Sequence, residues 1–109
     1  MNIRTLQKTT KFKKDFKIYK RNQKVIERLE EVGNLLIHKQ PIPEKYHPHP
    51  LSGQYKDCMD CHLFPDVVLI YSVTNDTAVL HRIGQHNKLE LTETATNPIK
   101  LHLKELDEN

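Results

Sequence analysis

The first third of the chain carries hydrophobic residues at helical spacing. Phe12, Phe16 and Tyr19 follow one another at intervals of four and three residues, with lysines between them. This is the pattern of an amphipathic helix. Thr9–Thr10 supplies a capping hydroxyl just ahead of the stripe. The pattern therefore predicts a helix that begins near Lys11.

A second amphipathic helix is predicted directly afterwards, with Asn22 as its cap. Its apolar stripe consists of Val25, Leu29, Val32 and Leu36, with Ile26 and Gly33 beside it. The helix should end before Pro41, because proline lacks a backbone N–H and restricts the residue before it. Two such helices in succession predict a helical hairpin.

Beyond the helices, the pattern changes to that of β-strands. Residues 40–53 contain four prolines and a glycine, which indicates an ordered loop. Val67–Val73 is a continuous apolar run, as found in central strands that are covered on both faces. The segments predicted as strands are residues 2–7, 54–63, 67–73 and 78–83, with a turn at 74–77. Helices followed by an antiparallel meander predict an α+β domain.

The end of the chain has a helix signal of its own. Asn97 is a cap residue, and Pro98 occupies the first helical position. Ile99, Leu103 and Leu106 form an apolar stripe that should pack on this domain or on another chain. We therefore expect a C-terminal helix from about Asn97 to Leu106.

Composition limits the possible classes of protein. The 109 residues are 37% hydrophobic and 28% charged, which fits one globular domain. No apolar run reaches the roughly 20 residues of a membrane helix. The first residues lack the apolar stretch of a signal peptide. We therefore expect a cytoplasmic protein with two reduced cysteines and no membrane association.

The net charge of +3 is unevenly distributed. Residues 1–28 hold ten Lys or Arg against two acidic residues, whereas residues 29–109 hold seven against twelve. A basic lobe of this density suits a polyanion such as RNA. A solvated, lysine-rich helix face explains the charges equally well.

Seven histidines are present, and five of them lie between residues 47 and 86. Histidine titrates near neutral pH and can act as an acid or a base. Histidines together with an aspartate and an arginine could cleave RNA without a metal: a base takes the 2′-OH proton, an acid protonates the leaving 5′-oxygen, and a cation steadies the phosphate. The candidates are His49, His62, Asp66, Arg82 and His86. Taken singly, a histidine is more often an ordinary surface or satisfied core residue than a catalytic one.

Cys58–His62 has the form C-x-x-C-H, the haem-attachment pattern of c-type cytochromes. The motif lies in a predicted strand, where side chains alternate between faces. Cys58 and Cys61 should then point to opposite faces and cannot grip one haem. A zinc site needs further ligands at suitable spacing. We expect two ordinary thiols, with neither a metal nor another cofactor.

Three blocks of sequence resemble one known family. Tyr46–Gly53 resembles the "HPL-G" loop of the YafQ branch of RelE-type toxins, Cys61–Tyr71 resembles its "H-x-x-P-D-x-x-L-I-Y" segment, and Arg82–His86 resembles its "R-x-G-x-H" segment. The blocks occur in the family's order and spacing. The resemblance covers roughly residues 3–91, leaving residues 92–109 as a C-terminal helical extension of the toxin domain at 1–91.

The resemblance implies a RelE-like microbial ribonuclease fold, with two N-terminal helices packed on a four-stranded antiparallel sheet. It also implies a type II toxin that cuts mRNA in the ribosomal A site and is neutralised by a cognate antitoxin. Carried over from the family, His86 is the general base, Asp66 belongs to the general-acid side, His49 and His62 support the transition state, and Arg82 is a phosphate partner. The lysines expected to contact ribosomal RNA are Lys11, Lys13, Lys14, Lys17 and Lys20. An aspartic acid in the acid role needs a raised pKa, which burial or a neighbouring carboxylate could supply.

Two positions depart from the family pattern. Val67 stands where the family often has tryptophan, and Glu90 stands where it usually has a phenylalanine that contributes to activity. A glutamate near a phosphate site adds like-charge repulsion. The departures keep a second hypothesis open, a non-catalytic binding protein on the same scaffold, like the ParE-type toxins that attack DNA gyrase.

Overall fold

The computed structural model describes residues 2–89 and 92–93. Strands and helices alternate with three single turns of 3-10 helix, at Glu44–Tyr46, Gly53–Tyr55 and His86–Leu89. The described elements, in chain order, are β1 (Thr5–Lys8), α1 (Thr10–Phe16), α2 (Gln23–Ile37), β2 (His49–Ser52), β3 (Met59–Phe64), β4 (Val67–Val73), β5 (Thr77–Gly84) and β6 (Thr92–Glu93).

Both predicted helices form, and both begin at the predicted caps. The side chain of Thr9 accepts a hydrogen bond from the Phe12 N–H at 3.0 Å, and that of Asn22 accepts one from the Val25 N–H at 3.2 Å. Such caps satisfy N–H groups that have no partner within the helix. The first helix is shorter than the stripe suggested, because α1 ends at Phe16. Tyr19 lies in the following turn and still packs against the core.

The sheet differs from the four-stranded antiparallel sheet that the resemblance implied. Among the described residues it has six strands in the order β1-β5-β4-β3-β2-β6, of which β6 contributes two residues. β1 runs parallel to β5, with Thr5 opposite Thr77, and the other pairs are antiparallel. The prediction was wrong because a parallel partner far along the chain leaves no local signal.

The proline-rich segment 40–53 was also misjudged, since it contains β2. This strand includes Pro50, which cannot donate to a ladder and therefore weakens the sequence signal for a strand. β2 pairs with β3 at two positions, where His49 faces Asp60 and Pro50 faces Met59. The predicted strand at 54–63 is in fact a turn followed by β3, which begins at Met59.

β4 is the central strand that its apolar run predicted. Its residues alternate between the two faces of the sheet, and both faces are covered. Leu69 and Tyr71 join the larger core under the helices, whereas Val68 and Ile70 join a smaller cluster on the opposite face. Burying each large apolar side chain contributes roughly 1.5–3 kcal/mol before entropy costs. We call the surface of Val68 and Ile70 the site face, because the candidate residues lie on it.

Some predictions fall beyond these elements. The expected helix from Asn97 to Leu106 lies outside the described residues, and so does Glu90. Within the part of the chain that the structure describes, neither helix combines the length and apolar character needed to cross a bilayer.

Candidate active site

Strand register places two of the candidate residues, His49 and Arg82, on one row of the site face. Ile70 at the centre of β4 faces Asp60 on β3 and Arg82 on β5, and Asp60 in turn faces His49 on β2. With neighbouring strands about 4.8 Å apart, Asp60 and Arg82 are separated by about 10 Å between their backbones. One step along the strands, His62 faces Val68. The period of two along each strand keeps all these side chains on one side.

Four imidazole rings form a histidine cluster around His62, comprising His47, His49, His62 and His86. The centroid of the His62 ring lies 6.3 Å from that of His47, 6.1 Å from that of His49 and 6.1 Å from that of His86. His86 begins the 3-10 turn that follows β5, which folds its ring back over the sheet. The structure thus brings together three histidines named from the sequence and adds His47.

The ring of His49 is held from both sides by oxygen atoms. Its Nδ1 lies 2.8 Å from the carbonyl oxygen of His47, and its Nε2 lies 2.9 Å from Oδ1 of Asp60, a side chain with no exposed surface. A carbonyl only accepts, so Nδ1 carries a hydrogen. The Asp60 carboxyl group lies against Nε2 on the other side of the ring. The two contacts therefore fix the orientation of the His49 ring.

The His47 backbone that supplies this carbonyl is itself unusual. His47 has φ 49° and ψ 54°, in the left-handed region, and it precedes Pro48. A side-chain-bearing residue rarely adopts this conformation, and a residue before proline is further restricted. Backbone strain of this kind is commonly kept where it positions functional groups. Here it turns the His47 carbonyl toward the His49 ring.

Arg82 is anchored by groups that the sequence did not reveal. Its Nε and Nη2 donate to the two carboxylate oxygens of Asp15 on α1, at 2.6 and 3.0 Å, and its Nη1 donates to the Tyr55 hydroxyl at 3.0 Å. These contacts, above all the hydrogen bonds to Asp15, raise the pKa of Arg82 further. The guanidinium is thus a permanent and oriented cation on the site face.

Asp66 lies apart from the histidine cluster, in the tight turn between β3 and β4. Its side chain is exposed to solvent. Burial raises the pKa of Tyr19, and the charges of Asp66 and Asp15 raise it further. Tyr19, which packs against the core under the helices, therefore lies within electrostatic reach of both aspartates.

The two cysteines lie in different clusters, as their spacing in a strand predicted. Cys61 is part of the core under the helices, whereas Cys58 packs against the cluster on the site face. Burial and the nearby Asp60 raise the pKa of Cys61 to about 12, so its thiol stays protonated and unreactive. In residues 2–89 and 92–93, no group of three or more His, Cys, Asp or Glu is arranged to hold a metal ion.

The lysines named from the sequence lie on α1 and in the turn that follows it. Each is exposed to solvent. Three lie on α1 and two lie in the turn after it: Lys11, Lys13 and Lys14, then Lys17 and Lys20. We call these five exposed lysines the basic surface; Asp15 lies on the same segment of the chain.

Sequence reasoning missed four participants: Asp15, His47, Tyr55 and Asp60. A signal existed for Asp60, because it lies two residues before His62 in the predicted strand. Strand alternation places the two side chains on the same face of the sheet. A weaker signal existed for Asp15, the single acidic residue in the first 26. Tyr55 and the carbonyl of His47 lie in turns, where no periodic pattern indicates direction.

The fold and the site can now be compared with known proteins. Residues 4–91 match the sequence model of the family described as "Bacterial toxin of type II toxin-antitoxin system, YafQ". The chain belongs to the YafQ family of bacterial toxins. The match spans every element from β1 to the turn that carries His86.

Individual relatives agree with the family assignment. The "mRNA interferase toxin YafQ" of Escherichia coli strain K12 is 33% identical over 87 residues, covering 79% of this chain and 95% of that protein. The toxin in the crystal structure of the E. coli DinJ–YafQ toxin–antitoxin complex has a TM-score of 0.69 at 33% identity, over 79% of this chain and 96% of that one. A metal-bound toxin from Helicobacter pylori has a TM-score of 0.71 at 38% identity, over 80% and 99%.

Proposed function

We propose that this YafQ-family toxin is an endoribonuclease that cleaves mRNA on the ribosome by acid–base chemistry at the ribose 2′-OH. The observation that carries the proposal is the histidine cluster beside the oriented Arg82 on one face of the sheet. A curated relative with the same domain length is named an mRNA interferase. The site supplies imidazoles for proton transfer and fixed cations for a phosphate.

The contacts divide the histidines into separate roles. His49 has both ring nitrogens directed at oxygen atoms, so its ring is held in one orientation between the His47 carbonyl and Asp60. Its role is electrostatic support of the transition state. His86 stands at the open end of the cluster, stacked on His62. We assign it the general-base role and give His62 a supporting role between the two.

The proposed step is a transfer within the RNA. His86 takes the proton of the 2′-OH, whose oxygen attacks the adjacent phosphorus, and the bond from phosphorus to the 5′-oxygen breaks. Asp66 returns a proton to that oxygen. The products are a 2′,3′-cyclic phosphate and a 5′-hydroxyl. Asp66 is exposed in the free protein, so its carboxyl group is accessible to a bound RNA.

Arg82 and the basic surface would hold the RNA. Three of the five guanidinium N–H groups have partners among the described residues, which leaves two that can donate to a phosphate. The lysines of α1 and the following turn are placed to contact ribosomal RNA. A cognate antitoxin is the expected protein partner, since the solved E. coli relative is a toxin–antitoxin complex. Ribosome-dependent action places the protein in the cytoplasm.

A cleavage assay with three substrates tests the proposal. Purified protein is added to mRNA bound in programmed ribosomes, to the same mRNA without ribosomes, and to supercoiled DNA with gyrase. We expect cuts in the A-site codon with 5′-hydroxyl ends, mapped by primer extension, and little cutting of free mRNA. Gyrase-dependent DNA breaks with intact mRNA would contradict the proposal and support a ParE-like toxin.

A further inference from the structure

The contact between α1 and β5 centres on one carboxylate. Asp15 accepts from Arg82 Nε at 2.6 Å and from Arg82 Nη2 at 3.0 Å, and its Oδ2 also accepts from the backbone N–H of Ile83 at 3.1 Å. Asp15 is therefore fixed to the strand that carries Arg82 as well as to the guanidinium itself. We propose that Asp15 is a positioning residue that aims Arg82 at the scissile phosphate, a role that rests on the proposed function.

The pattern of donors explains how the aiming works. Asp15 occupies one edge of the guanidinium, formed by Nε and Nη2, and Tyr55 takes one hydrogen of Nη1. One N–H remains on each terminal nitrogen, without a partner among residues 2–89 and 92–93. A phosphate can accept from both at once, the bidentate geometry in which arginine binds phosphates best. Asp15 thus selects which edge of Arg82 faces the substrate.

Holding Arg82 in place has an entropic benefit, which offsets the positive charge that the Asp15 carboxylate neutralises near the phosphate. A free arginine side chain samples many rotamers, and a phosphate that binds it would have to remove that entropy. Holding the side chain beforehand removes that cost from the binding step. The carboxylate also weakens the net positive charge near the phosphate. The role of Asp15 should therefore appear in the rate of the chemical step more than in substrate affinity.

The contact between Asp15 and Arg82 has a further consequence, because Asp15 lies on the helix that carries the basic surface. Asp15 lies between Lys14 and Phe16, on the helix that we place against ribosomal RNA. The residue that aims Arg82 is therefore carried by the element that binds the ribosome. If α1 moves when it contacts the ribosome, the two hydrogen bonds between Asp15 and Arg82 transmit that movement to the guanidinium.

The chain offers a matched control for a purely structural role. Thr9 also joins the start of α1 to β5, because its hydroxyl donates to the His81 carbonyl at 2.8 Å. Thr9→Val removes this bond and the helix cap, and it leaves the groups around the guanidinium unchanged. If Asp15 only fastens the helix to the sheet, then Asp15→Asn and Thr9→Val should affect cleavage in proportion to their losses of stability.

A double-mutant cycle provides the test, with cleavage of ribosome-bound mRNA measured in wild type, Asp15→Asn, Arg82→Ala and the double variant. We expect Asp15→Asn to lower kcat by about 10- to 100-fold with KM within about twofold, as for a misplaced catalytic group. In the Arg82→Ala background the same change should have no further effect. Thr9→Val should keep nearly wild-type kcat.

Nuclear magnetic resonance of the arginine Nε–H groups gives a readout that does not depend on activity. The Arg82 resonance should exchange slowly in wild type and Thr9→Val and should lose this protection in Asp15→Asn. Equal effects of Asp15→Asn with and without Arg82, or an equal loss of kcat in Thr9→Val, would overturn the role of Asp15. A wild-type protein that cuts no ribosome-bound mRNA would overturn the proposed function and this role with it.

Discussion

At the scale of single residues, chemistry at the site depends on which groups are already committed to partners. The His49 ring lies between the His47 carbonyl and the Asp60 carboxylate, and the Arg82 guanidinium lies between Asp15 and Tyr55. The sequence identified His49 and Arg82 through the resemblance, because their residue types fit RNA cleavage. It could not identify their partners, since Asp15 and Arg82 are distant in the chain and meet only in the fold.

The contact between His49 and Asp60 gives a prediction at this scale. Asp60→Asn replaces the carboxyl group with an amide of the same shape, so the surroundings of Nε2 in the His49 ring should change. Nitrogen-15 chemical shifts of the ring report this directly. Because one fixed electrostatic partner of a transition state is worth about 10²–10³-fold in kcat, we expect cleavage to fall by roughly that factor.

Asp57→Asn is the control for this change. It makes the same substitution at an exposed position three residues earlier, where φ is 73° and asparagine is well tolerated. It should leave both the His49 shifts and the cleavage rate unchanged. An Asp60→Asn protein with wild-type His49 shifts and a wild-type cleavage rate would show that Asp60 does not hold the ring and that the supporting role is wrong.

At the scale of elements, local signals predicted the helices and the central strand well. The caps at Thr9 and Asn22 and the continuous apolar run of β4 act over a few residues, so they are visible in the sequence. β2 was missed because Pro50 is unusual in a strand. The parallel pairing of β1 with β5 was missed because its hydrogen bonds join segments that are far apart in the chain. His49 lies on β2, so the geometry of the histidine cluster could not be predicted without this strand.

The basic surface of the hairpin gives a prediction for these elements. If the lysines of α1 and the following turn contact ribosomal RNA, binding to ribosomes should weaken steeply with salt as counterions are released. Lys13→Glu with Lys17→Glu should lower affinity and reduce the slope of log K against log salt by about 1.5–2. Thermal stability should change little, because exposed charges contribute little to folding.

Lys8→Glu with Lys24→Glu is the matched control, because it makes the same change in net charge at other exposed positions of the basic lobe. Its effect on the salt dependence should be clearly smaller. If the two double variants weaken ribosome binding equally, total charge alone accounts for the attraction. If neither variant nor salt has an effect, the lysines are only a solvated face.

At the scale of the whole molecule, the mixed sheet separates structural and chemical tasks. The helices cover one face of β3, β4 and β5, where the larger core lies, and the histidine cluster and Arg82 occupy the other. α1 links the two sides, since Asp15 reaches the site from the helical hairpin. The resemblance correctly implied an α+β domain with two helices on a sheet, although the sheet is mixed and not four-stranded antiparallel.

The most direct test of acid–base cleavage by the histidine cluster is the single-turnover rate of His86→Ala on ribosome-bound mRNA. General bases contribute about 10²–10⁴-fold, so we predict a loss of that size with an unchanged melting temperature. His38→Ala, which removes an exposed histidine at the end of α2, should cut at the wild-type rate. A His86→Ala protein that is folded, bound to the ribosome and as fast as wild type would contradict the account.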